Sequence, residues 1–287
     1  MYNTIAICGP TSPFSKAFSK LLTRSGFKTK YLSTALLKQP PTDVAKEIDG
    51  CFAVCNVAGV PIVAKWNDHY VHDIYCSRWQ SIRTITNAFL YCNDKPKVFI
   101  NMSNAMIYDE YEVHDDYSTL YGDSFLSEVG VMETKEVLKI QKKLSDTRFI
   151  IARSGYFMNK NSGMYPLLKK INMLGLGGRI GDGHQCIPIV HIEDAAEAVF
   201  FLTTNVNCQG IYNIVSPEIA SMNEIIKTFS RSFGLKLLTT PKPLIRLLVG
   251  DAISILEQNC KVMPARLMSS GFKFKYNNAE EILSALR

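Results

Sequence analysis

The chain has 287 residues, of which 47% are hydrophobic and 20% charged, with a formal net charge of +6. Such a length supports one large or two small domains with a sizeable core, and such a composition excludes a disordered chain. No Lys/Arg block is dense enough for a nucleic-acid surface and the apolar runs are too short to span a membrane, so neither partner is expected.

The N-terminus enters a strand pattern directly, with no signal peptide or lipidation motif, and the expected compartment is the cytoplasm. Eight scattered cysteines fit that expectation. Without paired C-x-x-C spacing they read as small buried hydrophobes, neither a disulfide framework nor a zinc site. Cys51 and Cys55 are expected to share one face of a strand. His69, His72 and Asp73 fall on one helical face but lack a third strong ligand partner, so they read as surface polar residues and no metal is expected.

In chain order, TIAIC (4–8) reads as a strand and 13–25 as a helix. FKTKYL (27–32) is a more exposed strand and CFAVCNVA (51–58) a buried one. Apolar residues at helical spacing predict a long helix over 67–92. KVFINMS (97–103) is a strand, 124–144 a helix and RFIIARSG (148–155) a strand. This alternation predicts an α/β fold, a doubly wound parallel sheet of Rossmann type, over residues 1–156. Residues 157–287 read as a smaller C-terminal lobe woven onto it. That lobe holds a glycine-rich loop (175–185), a strand at 187–192, a helix at 193–204 and a strand at 210–216. Helices near 221–233 and 243–257 follow, then a half-exposed strand at 272–276. The strands near 187–192 and 210–216 are expected to return to the main sheet. Ligands of such sheets bind beyond the carboxyl ends of the strands.

The first of those ends is AICGPTSPFSKAF (6–18). Gly9 stands where a dinucleotide-binding turn begins, but the second and third places of G-x-x-G-x-x-G hold Ser12 and Ser15. Ser12 suits an N-cap and Pro13 a first helical position, so the helix start is well specified. The Ser12 hydroxyl can donate to a phosphate oxygen at the helix N-terminus, and Ser15 is small enough for helix–strand packing. The turn reads as a retained but altered nucleotide site.

Other segments carry a resemblance over nearly the whole chain. NVAGVPIVAKW (56–66), SR (77–78), FLSEVGVME (125–133), RSG (153–155), GLGGRIGDGHQCIPIVHIEDA (175–195), GIYNIVSP (210–217) and VMPARLMSSGFKF (262–274) occur in that order. Together they resemble the YfcH-like epimerase family, atypical extended short-chain dehydrogenases/reductases. The resemblance implies a Rossmann domain and a nicotinamide dinucleotide, NADP or NAD. It puts Gly9, Thr11, Ser12 and Phe14 around the pyrophosphate turn, and Ser33 and Thr34 beside the adenosine 2′-phosphate. It places Val57 and Ala58 near adenine and ribose, Asp73 and Arg78 on the cofactor-facing side of the long helix, and Phe157 near the nicotinamide. Thr34 stands where the family has an arginine. Arginine holds a phosphate bidentately and threonine does not, so the preference for NADP over NAD is left open.

Short-chain dehydrogenases move a proton with a Tyr-x-x-x-Lys pair, after a Ser or Thr at the end of the preceding strand. That spacing occurs at Tyr91/Lys95, Tyr156/Lys160 and Tyr165/Lys169, never on the 124–144 helix where it would face the cofactor. Ser103, at its strand end, and Tyr108, in the loop after it, are the candidate catalytic residues. A capping serine and a packing tyrosine are the alternative. His191 either assists a substrate or ties the glycine-rich loop to the lobe by a hydrogen bond, and Asp194 reads as a helix N-terminal residue. The expected function is NAD(P)-dependent epimerase or oxidoreductase chemistry on a small or sugar-like substrate. The rival is a nicotinamide-nucleotide binding or sensing protein without catalysis.

Overall fold

The computed structural model describes residues 3–173, 182–233 and 253–287. Strand β1 (Thr4–Cys8) turns through Gly9 into helix α1 (Pro13–Arg24), whose buried Phe14, Phe18 and Leu22 recur at helical spacing. Strand β2 (Lys28–Leu32), helix α2 (Pro41–Ile48) and strand β3 (Ala53–Asn56) follow. Helix α3 (Asp68–Ala88) starts where the Asn67 side chain accepts from the Tyr70 amide at 2.9 Å. Strand β4 (Val98–Asn104) and the short β5 (Val113–His114) lead to helix α4 (Phe125–Gln141), N-capped by Ser124. Then come β6 (Arg148–Ser154), β7 (Tyr156–Asn159), β8 (Ser162–Gly163), α5 (Met164–Met173), β9 (Ile189–His191), α6 (Ile192–Thr204) and β10 (Gly210–Ile214). The last elements are α7 (Met222–Phe233), α8 (Ile253–Glu257), β11 (Lys261–Val262), α9 (Ala265–Ser269) and α10 (Ala279–Ala285).

Six of the described strands form one parallel sheet in the order β10-β6-β4-β3-β1-β2. Strand alternation sends side chains to two separate cores. Ile5, Ile7 and Ile100 meet α1 and α6 on one face. Ala6, Cys8 and Phe99 meet α2, α3 and α4 on the other. A third cluster joins Trp66, Ile74, Met106 and Val129 to Tyr165, Phe229, Leu256 and Ile282, so residues of the C-terminal third pack on the earlier part of the chain through a continuous apolar layer.

Three expectations need correction. The strand at 187–192 does not return to the main sheet, although that at 210–216 does. The open edge of β6 is taken by β10, with Ile150 opposite Gly210, so β9 pairs in parallel with β7, Tyr156 opposite Ile189. The bend between β6 and β7 is at Gly155, where a Cβ would lie 2.7 Å from the Pro188 carbonyl oxygen. Residues 272–276 form no strand. Their amides are satisfied by a side chain instead: Lys275 and Tyr276 both donate to the Asp194 carboxylate at 2.9 Å. Cys51 and Cys55 face opposite cores, because β3 starts only at Ala53 and the two-residue period does not reach back to Cys51. All eight cysteines are free thiols. Of the expected glycine-rich loop, residues 175–181 lie outside the described residues, as do 243–252 of the expected 243–257 helix.

Candidate active site

A cavity of about 490 Å³ opens at the carboxyl ends of β1, β3, β4 and β6. Its floor is the turn between β1 and α1. Gly9 has φ +90°, and a Cβ there would stand 3.0 Å from the backbone of Val57 and Ala58. Only glycine lets the two strand ends approach this closely. The serines take up distinct tasks. Ser15 is fully buried and its hydroxyl donates to the Gly9 carbonyl at 2.7 Å, tying helix to turn where a third glycine would have allowed bare contact. Ser12 occupies the N-cap position but its side chain makes no cap, and the residue lines the cavity instead. The first turn of α1, with its unpaired N–H groups, meets the cavity at Pro13.

Of the residues expected from sequence, Gly9, Thr11, Ser12, Thr34, Val57, Ala58, Arg78, Ser103 and Phe157 line this one cavity. Four others do not. Phe14 lies behind the turn, stacked on Phe157 at 5.4 Å between centroids, so it supports the wall without forming it. Ser33 accepts from the Leu36 amide at 3.2 Å and shapes the turn after β2. Asp73 lies beside His69 and His72, 3.8 and 3.9 Å from them, because α3 reaches the cavity through Arg78 and position 73, five residues earlier, lies about 140° around the helix. Among the described residues no cluster of metal-ligating side chains forms.

Tyr108 is the fourth. It is fully buried, donates to Asn213 Oδ1 at 2.8 Å and accepts from Arg153 Nη1 at 2.8 Å. His114 stacks on its ring at 4.9 Å. Burial pushes its hydroxyl up to about 12. The packing alternative describes Tyr108, while Ser103 stays on the cavity wall.

Ser103 also uncovers a partner that sequence reasoning missed. Its Oγ donates to Oε2 of Glu133, a carboxyl on α4 that is 1% exposed. Arg78 Nε stands 3.7 Å from Glu133 Oε1, and Arg78 Nη1 donates to the Ile74 carbonyl at 3.1 Å. Burial, partly countered by Arg78, the Ser103 hydrogen bond and Arg153, moves the Glu133 carboxyl up to about 7. Arg153 sits beside Ser103 in strand register and is completely buried, its guanidinium donating to Tyr108, Tyr121 and Thr134. The visible signal for Glu133 was its place on the helix expected to face a cofactor. FLSEVGVME holds two glutamates, Glu128 and Glu133, and no spacing separates the second from a surface charge.

Two further wall residues carry buried polar atoms without a partner. Asn104 donates its amide N–H to the Leu126 carbonyl at 3.2 Å, which leaves Oδ1 without a partner, and the Tyr156 hydroxyl has none either. Val60, Ile62 and Met106 supply apolar wall around them. Tyr156 belongs to one of the three Tyr-x-x-x-Lys spacings, yet it lies on a strand and Lys160 turns away to the Arg287 carbonyl at 3.0 Å. Burial raises the Tyr156 hydroxyl well above its usual range, opposite to what an adjacent lysine would do. Tyr165 packs on Phe229 and Tyr91 is exposed, so neither reaches the cavity.

His191 lies outside the cavity. It caps α6, accepting from the Glu193 amide at 3.3 Å, and its ring lies 4.2 Å from that of Tyr276. Gln185 holds the described end of the 175–185 loop to the lobe through the Leu256 carbonyl at 2.8 Å. No helix of the described residues is long and apolar enough to cross a membrane.

Comparison with known proteins places these features in a family. A family model described as a domain of unknown function, DUF1731, matches residues 240–286. The epimerase family protein MW0731 of Staphylococcus aureus is 30% identical over 237 residues, covering 81% of this chain and 78% of the relative. The fold matches human epimerase family protein SDR39U1, solved with NADPH, at a TM-score of 0.87 and 22% identity, over 99% of this chain and 98% of the human one. It also matches UDP-glucose 4-epimerase of Thermus thermophilus, solved with NAD, at a TM-score of 0.74 and 15% identity, over 98% and 96% of the two chains.

Proposed function

The chain belongs to the epimerase family, atypical extended short-chain dehydrogenases/reductases, and from that premise we propose that its cavity binds a nicotinamide dinucleotide and serves redox or epimerase chemistry on a small hydroxylated substrate. The observation that carries this reading is the Gly9 turn, where the backbone approach that a Cβ would block opens onto the cavity beside the N-terminus of α1. Gly9, Thr11 and Ser12 would hold the pyrophosphate through backbone N–H groups and hydroxyls. Thr34 would lie by the adenosine ribose, Val57 and Ala58 by the adenine, and Ser103, Arg78 and Phe157 toward the nicotinamide. Bound there, the dinucleotide would supply a hydride donor or acceptor. The chain's own groups would position the substrate. Asn104 and Tyr156 line the cavity, and each keeps a buried polar atom without a partner, which is costly unless a ligand or water satisfies it.

Calorimetry with NADP+, NADPH, NAD+ and NADH tests this reading. Saturable binding is expected, and Ser12→Glu should abolish it through bulk and charge repulsion at the anion site. Binding of none of the four up to about 1 mM would overturn it. A second reading, a nucleotide-binding or sensing protein without turnover, is favoured by α4, which carries no Tyr-x-x-x-Lys pair. Hydride exchange between bound cofactor and a panel of sugars, nucleotide sugars and small carbonyls separates the two. Tight binding with no exchange selects the sensor.

A further inference from the structure

We propose that Ser103 and Glu133 form the proton-transfer site of the cavity, Ser103 touching the reacting oxygen of a secondary alcohol or ketone and Glu133 holding the proton behind it. This rests on the cofactor reading above. Glu133 stands on the far side of Ser103 from the cavity and does not line it. The Ser103 hydroxyl joins the two, as cavity-wall residue and as donor to Glu133 Oε2. A proton leaving a substrate hydroxyl can therefore reach the carboxylate in two coupled transfers without crossing solvent.

The surrounding charges suit exchange better than a fixed ion pair. Arg78 on α3 approaches Glu133 through Nε at 3.7 Å, while its Nη1 is engaged with the Ile74 carbonyl. Arg153 on β6 spends its terminal N–H groups on the hydroxyls of Tyr108, Tyr121 and Thr134, and its Nε has no partner. Neither arginine closes a bidentate pair on the carboxylate, the arrangement that would hold it ionised. Both act on it as nearby positive field, from α3 on one side and β6 on the other. Burial dominates, so the carboxyl exchanges its proton near neutrality, at about 7. A serine hydroxyl alone is far too weak an acid or base at that pH, and the carboxyl behind it removes the difficulty.

In the oxidative direction the substrate O–H bond breaks and its proton passes to Ser103 Oγ, as the Ser103 proton passes to the Glu133 carboxylate. A bound oxidised dinucleotide would supply the acceptor for the hydride released as the carbinol C–H bond breaks. The products are a carbonyl, a reduced dinucleotide and a neutral Glu133 carboxyl. The reductive direction is the same transfer reversed.

Infrared spectroscopy of the whole chain with 13C-labelled glutamate tests this, following the protonated carboxyl band from about pH 5 to about pH 9. Glu133→Gln, nearly isosteric, identifies the band by its loss. The wild-type band should disappear with a midpoint near neutrality. Ser103→Ala should raise that midpoint, because it removes a hydrogen bond that favours the carboxylate. NADP+ should lower the midpoint relative to NADPH, since the two differ by the positive charge of the nicotinamide ring. A band absent throughout the range, a midpoint unmoved by Ser103→Ala, or one midpoint with both nucleotides bound would each overturn the proposal. Failure of every dinucleotide to bind would overturn the cofactor reading alone, and the response of Glu133 to Ser103→Ala still decides the proton couple.

Discussion

Glu133 has an ordinary value near 4.5 and is moved up to about 7 by burial. In the folded chain its neutral form is therefore favoured. Below about pH 4.5 folded and unfolded states are both protonated there and nothing is lost. As pH rises toward 7 the unfolded chain releases the proton first, and stability falls by on the order of 3 kcal/mol. The stability difference between wild type and Glu133→Gln should decline by that amount across the window in urea melts, whereas a flat difference would remove the poised carboxyl. Gly9→Ala should cost about 1–3 kcal/mol, because the residue has φ +90° and its Cβ would press on rigid backbone. An unchanged urea midpoint would show that the turn relaxes. At this scale the sequence made Gly9, Ser12, Arg78 and Ser103 legible, since each sits at a strand end or on a motif. Tyr108 was misplaced because its partners, Arg153 and Asn213, are 45 and 105 residues away in sequence. Phe14 and Asp73 sit on the sides of α1 and α3 that turn away from the cavity.

Among the elements, those with strong apolar periodicity were readable to within a few residues, such as α1, α3, β4 and β6. The misreadings were strands whose partners are chosen by competition. β9 has the composition of a buried strand, but β10 already holds the free edge of β6, and nothing local in IPIVHI records that. The alternation in FKFKY comes from Phe272 packing on Phe201, with the backbone of Lys275 and Tyr276 held by one buried carboxylate. Asp194→Asn keeps one acceptor and sets an amide N–H against the other donor. It should cost about 1–3 kcal/mol and speed amide exchange at Lys275 and Tyr276 selectively. Uniform exchange over the chain, or none gained at these two amides, would mean that Asp194 does not anchor the segment.

For the molecule as a whole, the doubly wound sheet and a cavity at the carboxyl ends of its strands follow from strand–helix alternation alone, and the structure has both. The outer wall was not foreseeable, because Val60–Val63, Asn104, Tyr156 and Ser162 come from separate segments that meet only in the folded chain. Cofactor preference also belongs to this scale. Thr34 lines the cavity where the family resemblance implies an arginine, so discrimination between NADP and NAD should be weak. Thr34→Arg should tighten NADPH by about 1.5–3 kcal/mol and leave NADH nearly unchanged in calorimetry. An equal gain for both, or a strong wild-type preference for NADPH, would contradict that role. The most direct measurement is a crystal structure of the chain grown with saturating NADPH. Density should run from the Gly9–Pro13 turn, with the pyrophosphate at the N-terminus of α1, to a nicotinamide ring beside Ser103 and Phe157. An empty cavity under those conditions, or a ring bound at the Thr34 end, would contradict the assignment.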